Sequence, residues 1–353
     1  MINKRKIGDL NLEVTELGMG TATIGGWPIE VSEKQAYETL QTAWDQGIRY
    51  FDTAPLYGSG MAEERLGKFL KNHQREEFVI SSKAGRIIIN SKNSLASEKF
   101  IGSPKNKDSK FDFTYDGVMR SFENSLKRLQ LTKIDILHLH DPDNDPEHFK
   151  QSLNGGIKAM IKLKEEGLVS ALGCGMNQNE MLVQFAKEGC FDCFLLAGRY
   201  TLLDQTSLDE LIPICKKNNI SLILGGVLNS GILVDPSPNS YFDYTKLDSN
   251  WALNLKKSLV RMPKEDESAE FWLNKAYKLK NVCDDYNITL KNAAIQFPYF
   301  NNIVSCCILG MNSSTQVLDN IIEYRNKIPN SFWQYLKDCS FPHQQPWQRQ
   351  QCF

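Results

Sequence analysis

Four side chains in this 353-residue chain stand out for the chemistry their types allow: Asp52, Tyr57, Lys83 and His140. A phenol with an unperturbed pKa of about 10 is a poor base and only a moderate acid at neutral pH. An ammonium beside it favours the phenolate, and a fall of about two to three units corresponds to roughly 3 to 4 kcal/mol of differential interaction. Lys83 is the expected ammonium, so the Tyr57 pKa is expected to be lowered. A lysine left alone in a dry site sheds its proton, and Asp52 is the carboxylate expected to hold it charged. His140, as a neutral imidazole, suits the task of hydrogen-bonding a substrate oxygen and fixing its approach. Together these groups fit proton transfer at an oxygen of a small molecule, with Tyr57 as the acid/base.

Such a group needs a scaffold that brings distant residues to one rim. From Val14 to Tyr324 short, β-branched apolar runs alternate with longer amphipathic stretches, the pattern of parallel strands separated by crossover helices. Strands are expected at 16–20, 50–52, 78–82, 134–140, 170–175, 193–196, 221–224 and 304–309. Helices are expected at 32–46, 62–71, 115–129, 156–166, 204–217, 269–285 and 314–324, with Ser32 as an N-cap and Gly47 and Gly167 as left-handed terminators. These units predict one α/β domain over 1–353, a closed (β/α)8 TIM barrel with an N-terminal hairpin. An open doubly wound sheet gives the same alternation, but no strand is followed by GxGxxG and several strand ends are polar. Barrel strands lie ~4.8 Å apart, so Asp52, Lys83, His140 and the loop carrying Tyr57 converge on one mouth. Gly58 and Gly60 allow that loop its tight path, and His138 is expected to be a satisfied lumen residue sharing the face of His140.

Segments 86–113, 235–267 and 328–353 interrupt the repeat. The first two fall after the third and seventh strands, where extended loops at the C-terminal face are expected to wall a pocket. Trp27, after the first strand, is expected to offer an apolar face to a substrate.

Charge argues for a small-molecule partner. Lys plus Arg number 41 against 42 for Asp plus Glu, which gives no electrostatic case for nucleic acid or an anionic membrane. The N-terminal MINKRKIGDLNLEV lacks the apolar run of a signal peptide, and no stretch reaches the ~20 apolar residues of a membrane span, so a cytoplasmic location is expected. Nine cysteines, an odd number, suit a reducing compartment; Cys190 and Cys193 form an isolated CxxC, read as core thiols rather than a metal site. No feature sets an oligomeric state.

The segment GIRYFDTAPLYGSGMAEERLG, Gly47 to Gly67, closely resembles the signature of the aldo-keto reductase superfamily. The resemblance runs from IGDLNLEVTELGMGTA to the helix ending near Tyr324, and takes in Lys83 in ISSKAG and His140 in IDILHLHDP. It implies a (β/α)8 barrel and an Asp, Tyr, Lys, His tetrad carried onto Asp52, Tyr57, Lys83 and His140. It also implies a nicotinamide cofactor stretched across the barrel mouth. Gly20, Thr21, Asp52 and Asn177 would lie at the nicotinamide end, Leu228, Asn229, Ser230 and Gly231 would wrap the pyrophosphate, and Gly310 to Asn320, including Gln316, would hold the adenosine.

Departures from the common pattern narrow the expectation. Gly225 and Ala197 align with the usual stacking tyrosine and carboxamide-binding glutamine, and Gly175, Met176 and Asn177 surround the usual Ser-Asn pair. With GGVLNSGIL and SFWQYLKD, they resemble the sugar-oxidising branch, including D-threo-aldose (L-fucose) and D-galactose 1-dehydrogenases and pyridoxal dehydrogenases. That resemblance implies oxidation of an aldose at its anomeric carbon to a lactone, with Tyr57 as base. GMNSSTQVLDN carries no positive charge to meet a 2′-phosphate, so of NAD and NADP the former is favoured, with Arg325 the nearby residue able to reverse this. The alternatives are an NADPH-dependent aldehyde or ketone reductase, a cofactor-binding regulatory subunit like the potassium-channel β subunits, and a Schiff-base aldolase using Lys83.

Overall fold

Apolar runs buried on both faces are what parallel barrel strands require, and this chain supplies one for each strand of a closed barrel. A computed structural model describes residues 2–92, 94, 95, 99–237 and 269–338. In chain order the strands are β1 (Lys4–Lys6), β2 (Glu13–Thr15), β3 (Leu17–Gly20), β4 (Tyr50–Asp52), β5 (Val79–Ala84), β6 (Arg86–Asn90), β7 (Lys107–Phe111), β8 (Ile134–His140), β9 (Val169–Met176), β10 (Cys193–Ala197), β11 (Ser221–Gly225) and β12 (Val304–Gly310). Strands β3, β4, β5, β8, β9, β10, β11 and β12 are parallel and close in that order, β12 pairing back onto β3. The fold is a (β/α)8 TIM barrel. The expected strands at β4 and β8 match to the residue, and the others shift only at their ends.

The helices are α1 (Glu33–Asp45), α2 (Met61–Leu70), α3 (Tyr115–Leu129), α4 (Pro146–Gln151), α5 (Ile157–Glu165), α6 (Glu180–Phe185), α7 (Leu211–Lys217), α8 (Ala269–Asp285), α9 (Leu290–Gln296), α10 (Ser314–Arg325) and α11 (Asn330–Asp338). Ser32 caps α1 by accepting the Gln35 amide, and Gly47 (φ 95°) and Gly167 (φ 72°) follow α1 and α5 in the left-handed region. The helix expected over 204–217 is shorter. Asp204 turns its carboxylate onto the amide and hydroxyl of Thr206 and pairs with Arg199, an Asx-type arrangement that competes with a helical start.

Segment 86–113, expected as irregular, carries the antiparallel hairpin β6/β7, with Arg86 opposite Phe111 and Asn90 opposite Lys107. The three isoleucines of RIIIN pair with the polar KDSKF, which hides the strand signal of β7. Segment 328–353 contains α11, which buries Phe332 and Leu336 at helical spacing. The rest of that segment and most of 235–267 lie outside the described residues.

Strand alternation divides the interior in two. In β8, Leu137 and Leu139 join the core between strands and helices, whereas Ile136 faces the lumen with Tyr50, Ala171, Cys193 and Ile223. The β1/β2 hairpin closes the lumen from below, contributing Ile7 and Val14 through the turn and β2. By the same parity Asp52, Lys83, His138 and His140 point inward, near the C-terminal ends of β4, β5 and β8. Strand β9 gives way to this row: a Cβ on Gly173 would lie 2.2 Å from Nδ1 of His138. The described cysteines are all free thiols, no cluster of metal-ligand type occurs among the described residues, and no described helix is long and apolar enough to cross a membrane.

The barrel hands over to the rim hairpin at Gly85. It sits at φ 92°, and a Cβ there would lie 2.1 Å from the buried ring of Phe113. Gly85→Ala should therefore lower the unfolding free energy by about 2 to 4 kcal/mol, from backbone strain plus overpacking. Urea denaturation reads this directly, and an unchanged midpoint would contradict the assignment.

Candidate active site

Lys83 lies at the centre of the rim. Its Nζ is 2.7 Å from Asp52 Oδ2 and 2.9 Å from the Thr53 carbonyl, and the side chain is 2% exposed. The phenol of Tyr57 stands beside it and favours its charged form. Burial works against the charged amine, but Asp52 and Tyr57 together outweigh it, so Lys83 holds its proton above the ordinary lysine range. A Schiff-base role needs a neutral, nucleophilic amine, and this environment enforces the opposite.

Tyr57 reaches the rim on a loop built from left-handed residues: Gly58 (φ 63°), Ser59 (φ 51°) and Gly60 (φ 94°), the last standing at the start of α2. A Cβ on Gly58 would lie 2.5 Å from the Gly25 carbonyl, so this turn packs directly on the loop that follows β3. Arg65 ties the two loops together, pairing with Glu33 at 2.7 Å and donating to the Ile24 carbonyl. The half-buried Tyr57 ring has the Lys83 ammonium 4.7 Å from its centroid and meets His140 edge-on at 5.9 Å. The expectation of a lowered phenol pKa is corrected here. Burial raises it, Lys83 opposes that rise without cancelling it, and Asp52 and Asp141 add to it.

His140 is neutral, its pKa held well below the imidazole range by burial and then by Arg86, Lys83 and Lys99. Its Nδ1 is buried without a partner. His138 is not the satisfied lumen residue expected: it is fully buried, neither ring nitrogen has a partner, and burial with the nearby Lys83 charge pushes its pKa down to about 3. Its register partners are Gly173 on β9, which offers the ring no side chain, and Lys83 on β5, which offers it a like charge once protonated.

Sequence reasoning missed a second ion pair at this rim. Arg86 donates to Asp141 at 3.0 Å, lies over Phe111 at 3.9 Å, and leaves Nε buried and unpaired. Asp141 follows His140 directly, in the left-handed region (φ 51°) and 3.5 Å from its Nε2. Phe100, 6.1 Å from the Tyr57 ring, comes from the same insertion. The signal for Arg86 lay in its position, three residues after Lys83, but polar insertions conceal such roles.

On the other side of Asp52 the strand ends carry only small residues. The adjacent strands β10, β11, β12 and β3 end in Ala197, Gly225, Gly310 and Gly20, so a shelf of small residues leads away from the Lys83 cluster. Beside it the Thr21 amide donates to the Asp52 carbonyl at 2.9 Å, and the Thr21 hydroxyl is fully buried without a partner. An open shelf with an orphaned hydroxyl at its inner end fits a flat, extended cofactor. Past β11 the chain holds Asn229 (φ 45°), Ser230 (φ 58°) and Gly231 (φ 103°) in succession, with Leu228 just before them. Non-glycine residues seldom adopt this conformation, and turns of this kind make anion-binding concavities.

The remaining expected contacts are dispersed along the shelf's far end and opposite wall. Ser313 caps α10, and the Gln316 carboxamide accepts the Asn312 amide at 2.9 Å, so it is engaged within its own loop. Asn320 is buried one turn further along. Asn177, just past the end of β9, has its carbonyl held by Arg199 at 2.7 Å. Arg325 is directed to the Gln46 carbonyl at 3.4 Å, at the far end of α10 from Gly310. Trp27 is half-buried in the loop after β3, which is stitched to the insertion through the Ile101 amide and the Gly26 carbonyl at 2.8 Å.

With this geometry in hand, known proteins of similar sequence and fold are informative. The chain matches the Aldo/keto reductase family over residues 16–340. It is 36% identical to pyridoxal 4-dehydrogenase of Microbacterium luteolum, over 95% of this chain and 96% of that protein. It is 32% identical to D-threo-aldose 1-dehydrogenase of a Pseudomonas species, over 93% and 94%. In three dimensions it resembles the glycerol dehydrogenase of Gluconobacter oxydans with a TM-score of 0.71, over 95% and 94% of the two chains; at 20% identity this likeness concerns the fold alone.

The unpaired His138 makes a pH prediction. Its folded pKa of about 3 lies below the ordinary 6.5, so as pH falls below 6.5 the unfolded chain gains a proton that the folded chain refuses. Stability is lost on that acid side. Between pH 7 and pH 5 the loss assignable to His138 should be about 2 kcal/mol, and His138→Leu should remove it. Urea unfolding of both proteins at the two pH values tests this; parallel losses would contradict it.

Proposed function

Because the chain belongs to the aldo/keto reductase family and is an oxidoreductase, we propose that it oxidises the anomeric carbon of a small cyclic aldose to a lactone, with Tyr57 as the base. The observation that carries this reading is the buried Lys83 ammonium, fixed by Asp52 at 2.7 Å and set 4.7 Å from the centre of the Tyr57 ring. Two relatives above 30% identity support the direction, since both are named as dehydrogenases. The whole chain is read as one barrel unit.

In this reaction the anomeric O–H and C–H bonds break and the C=O bond of the lactone forms. Tyr57 Oη takes the hydroxyl proton while Lys83 favours the phenolate by charge and hydrogen bond. His140, neutral, orients the anomeric oxygen toward Tyr57. Gly20, Thr21, Asp52, Asn177, Leu228 to Gly231 and the segment Gly310 to Asn320 with Gln316 would hold a nicotinamide cofactor, and when bound it supplies the acceptor for the hydride. NAD is preferred to NADP, because Gly310 to Asn320 bears no cation and Arg325 points elsewhere. Trp27 and the 86–113 insertion wall the sugar side of the pocket.

The test is a dehydrogenase screen of aldoses and pyridoxal with NAD+ and NADP+, read by reduced-nicotinamide absorbance, alongside aldehydes with NADPH. Oxidation should dominate and should accelerate from about pH 7 to about pH 10, because the phenol, with its pKa raised, must lose its proton first. Tyr57→Phe should cut turnover by about a thousandfold or more while cofactor affinity changes little. Turnover that survives in Tyr57→Phe removes the base assignment; tight cofactor binding without turnover on any substrate would favour the regulatory-subunit reading.

A further inference from the structure

Barrel lumens are ordinarily filled by branched aliphatic side chains. Directly beneath Asp52 this one is polar. Ser81 Oγ lies 2.7 Å from Asp52 Oδ1, and Tyr50 Oη lies 2.8 Å from Ser81 Oγ. All three residues are buried, Tyr50 and Ser81 completely. Gly18 of β3 makes room for the Tyr50 ring: a Cβ there would lie 2.8 Å from its Cδ1.

Donor counting fixes the direction of every bond in this column. Asp52, ionised against Lys83, can only accept, so Ser81 must give its single proton to Oδ1. Ser81 can then only accept from Tyr50, whose own proton is thereby spent. Burial, and then the Asp52 charge, hold the Tyr50 phenol in its neutral, donating form. Each carboxylate oxygen of Asp52 thus has one dedicated donor, Ser81 for Oδ1 and Lys83 for Oδ2.

We propose that Ser81 and Tyr50 are positioning residues for the Tyr57 reaction: by holding Asp52 Oδ1 through Ser81 they confine the Lys83 ammonium to Oδ2, beside the Tyr57 ring. The inference rests on Tyr57 being the reacting group. Neither residue touches the reacting atoms. Without the Ser81 donor, Oδ1 is bare in a dry lumen, and the carboxylate turns to share Lys83 between both oxygens. The ammonium is drawn away from Tyr57, and the phenol loses part of the charge that opposes its upward shift. Tyr50→Phe acts one bond further back, leaving Ser81 still able to donate, so its effect has the same sign and is smaller.

The Tyr57 ionisation can be followed without substrate. Tyrosine labelled with 13C at Cζ is incorporated into the full chain, and the Tyr57 signal is identified by its loss in Tyr57→Phe. Ser81→Ala should raise the Tyr57 pKa by about one unit, Tyr50→Phe by about half as much, and Ser81→Thr, which keeps the donor, should return it to the wild-type position. A Tyr57 pKa unmoved in Ser81→Ala overturns the proposal; if Ser81→Ala does not fold, an unmoved value in Tyr50→Phe does so. The two readings fail separately: turnover surviving in Tyr57→Phe removes the base assignment, whereas lost turnover in that variant with no shift in the lumen variants leaves the column as packing alone.

Discussion

A charged amine in the lumen of a barrel persists only where its surroundings repay the loss of water. Lys83 does so through a carboxylate and a carbonyl within hydrogen-bond distance, with a phenol ring beside them. Much of the rim follows from satisfying that one group. Asp52 must end β4 facing inward, Thr53 must turn its carbonyl over the rim, and the Tyr57 loop must fold back through three left-handed residues to reach it. Removing either partner of such a pair leaves an uncompensated buried charge, which costs about 3 to 5 kcal/mol. The arrangement is therefore a stability constraint and a chemical device at the same time.

Two faces of the mouth have opposite characters because they answer to different demands. Around β4, β5 and β8 the rim is crowded with titratable groups, and Arg86 and Asp141 bring a second ion pair beside His140. Around β10, β11, β12 and β3 it is stripped to alanine and glycine, with an unpartnered Thr21 hydroxyl at the junction. Crowding confines a small, polar molecule; bareness admits a flat, extended one. Asp52 sits where the two regions meet, joined to Lys83 through its side chain and to Thr21 through its carbonyl.

The barrel was legible because β-branched runs alternate with capped amphipathic helices, a pattern that survives without any knowledge of contacts. Asp52, Tyr57, Lys83 and His140 were legible because period-two alternation and strand ends locate a common rim. Tyr50 and Ser81, each two residues before a rim group, share its inward face by the same alternation, but nothing in the sequence singles them out, and their value appears only once neighbouring strands are in register. The β6/β7 hairpin was concealed by its polar second strand, and Arg86 with Asp141 went with it. The Tyr57 ionisation was misjudged for a physical reason: charge proximity can be read from spacing, whereas the depth of burial that outweighs it cannot. His138 shows the same limit, since a buried imidazole's missing partners are invisible in a linear sequence.

The central claim is that the Lys83 ammonium holds the Tyr57 phenol nearer to ionisation than burial alone would allow. Ultraviolet difference titration of phenolate formation, with Tyr57→Phe as the blank, measures this in the wild type and in Lys83→Met. Removal of the ammonium should move the Tyr57 transition upward by about two units or out of the accessible range. A transition at the same pH in both proteins would contradict the account.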